Sequence, residues 1–238
     1  MGLPENFATI HHRIADACGR AGRDASSVTL LAVSKGIPPE LIAQAADHGQ
    51  VAFGESKVQE AKAKIPLCPS RCRWQMIGHL QSNKCRDAVQ MFDMIQSVDS
   101  VALANELNKW ADKFSKCVPV LLEVNVAGES SKFGLNPDRV VDACIAINSL
   151  SRLEVHGLMT IAPWTPDPEK VRPAFRRLRE LKVACEEKLG APLPHLSMGM
   201  SDDFEVAIEE GSTIIRIGTA LFGARPKPSR PASVDDAP

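Results

Sequence analysis

The chain has 238 residues, 44% of them hydrophobic, and a formal net charge of −1 with both signs spread along its length. That length buries a full core, as one large α/β domain or two small ones. The balanced charge argues against a nucleic-acid partner or an anionic membrane surface, and no apolar run is long enough to span a bilayer.

Taken in order, the elements alternate. Pro4 suits a first helical turn, and Phe7, Ile10, Ile14 and Ala17 recur at three- and four-residue spacing, which predicts a helix over 4–20. Val28-Thr29-Leu30-Leu31-Ala32-Val33-Ser34-Lys35 is a continuous apolar run ending in one lysine, the pattern of a strand buried on both faces, and Gly36-Ile37-Pro38-Pro39 stops it. A helix carrying Leu41, Ile42, Ala45 and Ala46 then closes at Gly49. Strands are predicted at 51–53, ending at Gly54-Glu55, and at 73–77, 92–98, 118–126, 153–159, 193–198 and 213–217. The helices between them run over 56–65 and 83–90, along the stripe of Leu103, Leu107, Trp110 and Phe114, from Asn136-Pro137, from Pro168 to Gly190, over 202–210 and over 218–223. Eight strands alternating with helices predict a single (β/α)8 TIM-type barrel with an extra N-terminal helix; a doubly wound open sheet is the alternative, because periodicity does not count closure. Residues 1–224 are expected to form the barrel and the Pro-rich 225–238 a disordered tail.

The first six residues show no basic segment followed by an apolar one, so no secretory signal is expected. Seven cysteines, an odd number falling mostly within predicted helices, fit reduced thiols in a cytoplasmic protein. Cys68 and Cys72 are the one close pair, and no histidine stands near enough in sequence to complete a metal site, so no metal is expected.

The strand C-termini form the working face of such a barrel. Lys35 stands at the lip of the first strand. It is either a charged residue that begins a surface loop or a partly desolvated amine able to form a Schiff base with a carbonyl compound. After the seventh strand, Gly199 permits a tight turn before Ser201-Asp202-Asp203, and Gly218-Thr219 follows the eighth. Each loop offers backbone N–H groups and a hydroxyl that together suit a phosphate dianion without a lysine. Ordinary capping is the competing reading, since Asp202 with Glu205 fits a capping box. Arg216, between Ile215 and Ile217 in a buried strand, requires a partner: a carboxylate such as Glu55 or Glu123, or a ligand acceptor. Glu123 and Glu154 are expected to pair with cations across the barrel. His79, His156 and His195 read as satisfied strand or lip histidines.

Six motifs in order carry a family resemblance. They are Ala32-Val33-Ser34-Lys35, Phe53-Gly54-Glu55, Ile77-Gly78-His79-Leu80-Gln81-Ser82-Asn83-Lys84, His156-Gly157-Leu158-Met159-Thr160, Ser197-Met198-Gly199-Met200-Ser201-Asp202-Asp203-Phe204 and Arg216-Ile217-Gly218-Thr219-Ala220-Leu221-Phe222-Gly223. The chain resembles the pyridoxal phosphate homeostasis protein family from the first helix to Gly223. The resemblance implies a barrel like the N-terminal domain of alanine racemase that holds pyridoxal 5'-phosphate (PLP). Lys35 would form the Schiff base, Ser201, Gly218 and Thr219 would hold the phosphate, Met200 would join them, and Arg216 would face the pyridine nitrogen. It further implies a monomer acting in intracellular PLP homeostasis and amino-acid balance, with apo-PLP enzymes as recipients, rather than an enzyme. A one-base racemase or lyase on the same lysine is the alternative. A phosphosugar enzyme with catalytic Lys35 and no cofactor is a third reading. Two-base racemisation of the alanine racemase kind needs a tyrosine from a second domain, and this sequence contains no tyrosine. Two positions depart from the family pattern: Ser56-Lys57 stand where Asn-Tyr is common, and Gln75 stands where a histidine is common.

Overall fold

Eight parallel strands close on themselves in chain order. The computed structural model describes residues 2–129 and 133–223. Its strands are β1 (Thr29–Val33), β2 (Ala52–Glu55), β3 (Arg73–Met76), β4 (Met94–Val98), β5 (Val118–Glu123), β6 (Leu153–Met159), β7 (His195–Ser197) and β8 (Ile214–Ile217). Each pairs with the next, and β8 returns to β1 through Thr29 opposite Ile214 and Ala32 opposite Ile217. The sheet is therefore a barrel and not the open alternative. Four of the eight strands, β1, β3, β5 and β7, end earlier than their apolar runs. The runs continue because single backbone bonds extend past the ladder, as from Ser34 N–H to the Gly54 carbonyl and from Val124 N–H to the Met159 carbonyl. The predicted tail lies outside the described residues.

The helices are α1 (Leu3–Arg20), α2 (Pro39–Asp47), α3 (Val58–Lys64), α4 (Cys85–Met91), α5 (Val101–Lys113), α6 (Val140–Asn148), α7 (Arg172–Leu189), α8 (Phe204–Glu209) and α9 (Thr219–Phe222). The extra helix α1 buries the expected stripe of Phe7, Ile10, Ile14 and Ala17 and packs on α8 and α9. Asn6 Nδ2 adds a bond to the Leu221 carbonyl at 2.8 Å. Gly190 stops α7 in the left-handed region, at φ 65°.

The apolar core has two layers. The larger lies between barrel and helices and holds fully buried Phe53, Phe175 and Phe204. Each such side chain contributes about 1.5–3 kcal/mol on burial. The smaller fills the barrel interior with Leu31, Ile77, Met94, Leu121, Met159 and Ile214. Gly157 in β6 has φ 154°, and a Cβ there would fall 1.9 Å from the His195 carbonyl oxygen. Only glycine lets β6 and β7 approach this closely.

Three sequence readings need correction, the first being that of His195 as a satisfied histidine, since its buried Nδ1 has no partner among the described residues. The Asp202–Glu205 capping box at α8 does not form: Asp203, not Asp202, stands at the N-cap, its Oδ1 accepts from Met200 N–H at 2.6 Å, and Glu205 pairs instead with Arg13 at 2.6 Å. The strand carboxylates do not bridge the barrel. Glu154 faces outward and lies 3.3 Å from His156 on its own strand, while buried Glu123 has an Oε2 with no partner among the described residues.

Candidate functional site

The C-terminal mouth of the barrel opens into a cavity of about 1080 Å3, at the upper end of ordinary ligand pockets. Lys35, Met200, Ser201, Arg216, Gly218 and Thr219 all line it, although 184 positions separate the first from the last. Val33, Ser56, Ile77, Gly78, Ile161 and Trp164 complete much of the wall. Among the described residues, three cationic side chains, Arg13, Lys35 and Arg216, line the cavity with one carboxylate, Asp202, so this lining suits an anionic ligand.

Lys35 lies two residues beyond β1 in the turn to α2 and is half-buried. Gly36, at φ 72°, lets the chain reverse there. The loops after β7 and β8 meet beside this turn, since β8 pairs directly with β1 and Lys35, Gly218 and Thr219 line a common recess. Gly199 has φ 96°, and a Cβ would fall 2.6 Å from Ala207 Cβ and 2.9 Å from Phe204 Cα, so the loop hugs α8. Ser201 Oγ accepts from Ala220 N–H at 3.4 Å, which joins the two loops. Thr219 is exposed at the first residue of α9. Asp203 is turned back onto Met200, so its side chain does not cap α8.

Arg216, in β8, lines the cavity and is 5% exposed. Its Nη1 donates to Ser197 Oγ at 2.7 Å and its Nη2 to the Thr160 carbonyl at 2.8 Å. The partners are therefore neutral. Glu55 bonds elsewhere, to Ser34 and Lys64, and Glu123 and Asp203 act only at longer range. A row of donors crosses the barrel from this point: Ser197 Oγ donates to Gln96 Oε1 at 2.6 Å, and Gln96 Nε2 donates to Gln75 Oε1. Burial pulls the Arg216 guanidinium down to about 10, against the opposing influence of Asp203 and Glu123, so it remains a cation at neutral pH.

Burial has the opposite effect on the nearby acids. It pushes the Glu123 carboxyl up to about 7, with Asp99 adding to the rise and Arg216 opposing it. Glu55 and Asp203 are also raised, by burial first, against hydrogen bonds that favour their charged forms. His195 is lowered by burial and by its neighbour His156. Among the described residues no group of three or more His, Cys, Asp or Glu is arranged to hold a metal ion, and no helix is long and apolar enough to cross a membrane.

The family described as alanine racemase, N-terminal domain, matches residues 6–226. The pyridoxal phosphate homeostasis protein of Aquifex aeolicus is 44% identical over 226 residues, covering 94% of this chain and 99% of that protein. The chain belongs to the pyridoxal phosphate homeostasis protein family. PipY of Synechococcus elongatus, solved with PLP bound, is 35% identical over 93% of this chain and all of its own, at a TM-score of 0.81. An alanine racemase of Clostridium difficile shares the fold alone, at 14% identity and a TM-score of 0.75, over 95% of this chain and 57% of its own.

One departure from the family pattern falls at the site and the other is tied to it by hydrogen bonds. Ser56 lines the cavity, and Gln75 ends the donor row that begins at Arg216. Several neighbours escaped the sequence reading. Gln96 is the clearest, since a glutamine within a fully buried strand already signalled an internal partner. Arg13 and Trp164 gave no signal, because an arginine on a helix and a tryptophan in a loop are ordinary surface residues.

Proposed function

We propose that the barrel, residues 1–224, binds PLP in the mouth cavity through Lys35, and that the protein serves PLP homeostasis in the cytoplasm rather than catalysis. The observation that carries this reading is the convergence of a lysine, two joined anion loops and a buried arginine on one cavity. The residues fit the cofactor. Ser201, Gly218 and Thr219, with Met200 beside them, form the cradle for the phosphate. Arg216 supplies a fixed cation for the ring nitrogen. Lys35 supplies the amine. PLP supplies an aldehyde carbon that an amine captures as a Schiff base with loss of water. PipY, which has been solved with PLP, supports the assignment.

Arg216 also argues against turnover. A guanidinium that stays protonated donates and does not accept, so it leaves a ring nitrogen facing it unprotonated and the cofactor a weak electron sink. The absence of tyrosine removes the second base of the racemase scheme. The protein is then a carrier, a monomer in our reading, with apo-PLP enzymes as recipients. A one-base racemase or lyase remains the second reading. Measurable exchange of amino-acid α-hydrogen in D2O would favour it.

The test is titration of the full chain with PLP, borohydride reduction and peptide mass mapping. A visible absorption band, lost in Lys35→Ala, and a pyridoxyl adduct on Lys35 are expected. An adduct on another residue, or a protein that takes up no PLP, overturns the proposal.

A further inference from the structure

The turn that carries Lys35 is gripped by charged groups from α3 and β2. Lys64, the last residue of α3, has only 8% of its side chain exposed. Its Nζ donates to the Ser34 carbonyl at 2.8 Å and contacts Glu55 Oε1 at 2.8 Å and Glu60 Oε1 at 2.6 Å. Both carboxylates reach the same turn. Ser34 Oγ donates to Glu55 Oε1 at 2.7 Å, and Gly36 N–H donates to Glu60 Oε1 at 2.6 Å. The residues on either side of Lys35 are thus anchored to one ion cluster.

Stability alone is a poor reason for such a cluster. Taking the Lys64 ammonium and the Glu55 carboxylate out of water offsets most of their mutual attraction, and well-packed apolar side chains often do as well. What an apolar replacement lacks is direction. The ammonium and the two carboxylates fix a carbonyl, a hydroxyl and an N–H flanking one residue, and this defines where the Lys35 side chain begins. A long, flexible amine on an otherwise loose turn would sample many positions, and capture of a carbonyl carbon depends steeply on approach.

We infer that Lys64, acting with Glu55 and Glu60, is a positioning residue that presents Lys35 to a carbonyl ligand in the cavity. This rests on the reading of Lys35 as the PLP-binding amine. Lys64→Met keeps the bulk and removes the donor. In the full chain freed of cofactor, the rate at which the visible band appears on mixing with PLP falls by about tenfold or more. The dissociation constant for 4-deoxypyridoxine 5'-phosphate, which has the ring and phosphate but no aldehyde, stays within about twofold, because the anion loops and Arg216 are untouched. Glu60→Ala, at a partly exposed position, is the second variant. It releases Gly36 N–H, slows band formation by about threefold and speeds hydrogen exchange at that amide by about tenfold. Should Lys64→Met fail to fold, Glu60→Ala decides.

An unchanged rate in the folded variants overturns the inference, as does an equal loss of PLP capture and analogue binding, which marks a merely structural cluster. Failure of the underlying reading is distinguishable, because wild-type protein would then give no borohydride adduct on Lys35. Amide exchange at Gly36 reports on the grip with no PLP present.

Discussion

Replacing Glu123 by Gln makes the ligand-free protein relatively more stable as pH rises. Glu123 ends β5 and is 6% exposed. Burial, with Asp99 adding, lifts its carboxyl from 4.5 to about 7. At about 1.4 kcal/mol per pH unit, that gap corresponds to about 3 kcal/mol. The folded value lies above the unfolded one, so the associated stability is fully present below 4.5. It is lost as pH rises through about 7, where folding must bury a charge. The Gln variant has no proton to lose and escapes this decline. Its amide adds an offset of its own, so the informative quantity is the change in the difference between the two proteins. Urea unfolding at pH 5 and pH 8 should show that difference moving by about 2–3 kcal/mol in favour of Gln, slightly less than the full gap because the unfolded carboxyl is already partly ionised at pH 5. Glu55 and Asp203 are raised as well but are common to both proteins and cancel. A difference constant to within about 0.5 kcal/mol would refute the reasoning and mean that Glu123 is solvated or paired in solution.

Two further substitutions probe the frame around the site. Ser197→Ala removes the hydroxyl that accepts from Arg216 and donates to Gln96. It should lower the unfolding free energy by about 2–4 kcal/mol and weaken PLP binding, because a buried guanidinium donor loses its partner. Unchanged urea unfolding would show that the donor row does not hold Arg216. Gly157→Ala forces a methyl group onto the β7 backbone. Loss of more than about 3 kcal/mol, or insoluble expression, is expected, and a soluble variant with wild-type Tm would contradict the close approach of β6 and β7.

Much of the architecture was legible because a barrel strand buried on both faces writes itself as an unbroken apolar run. The strand 153–159 was bounded correctly although Glu154 and His156 interrupt its run, and the α1 stripe of Phe7, Ile10, Ile14 and Ala17 is buried as its spacing required. Strand ends were less legible. The runs at 118–126 and 193–198 are longer than β5 and β7, because burial extends beyond the ladder, to Val124 after β5 and to Leu193 before and Met198 after β7.

The sequence by itself determined the alternation of elements, the placing of Lys35 at a strand lip, the two glycine-hydroxyl loops and the need of Arg216 for a partner. These are local properties: periodicity, turn chemistry and the desolvation of one charge. The tertiary structure alone decided closure of the sheet and the choice of partners. It sent Asp203 to Met200 instead of to a helix cap, gave Arg216 a serine and a carbonyl instead of a carboxylate, and brought Lys64 under the Lys35 turn. Ser197 meets Gln96 across 101 positions of chain. A sequence pattern reports that a polar group is buried. Which group satisfies it depends on the register and curvature with which eight strands close, and no local window contains that information.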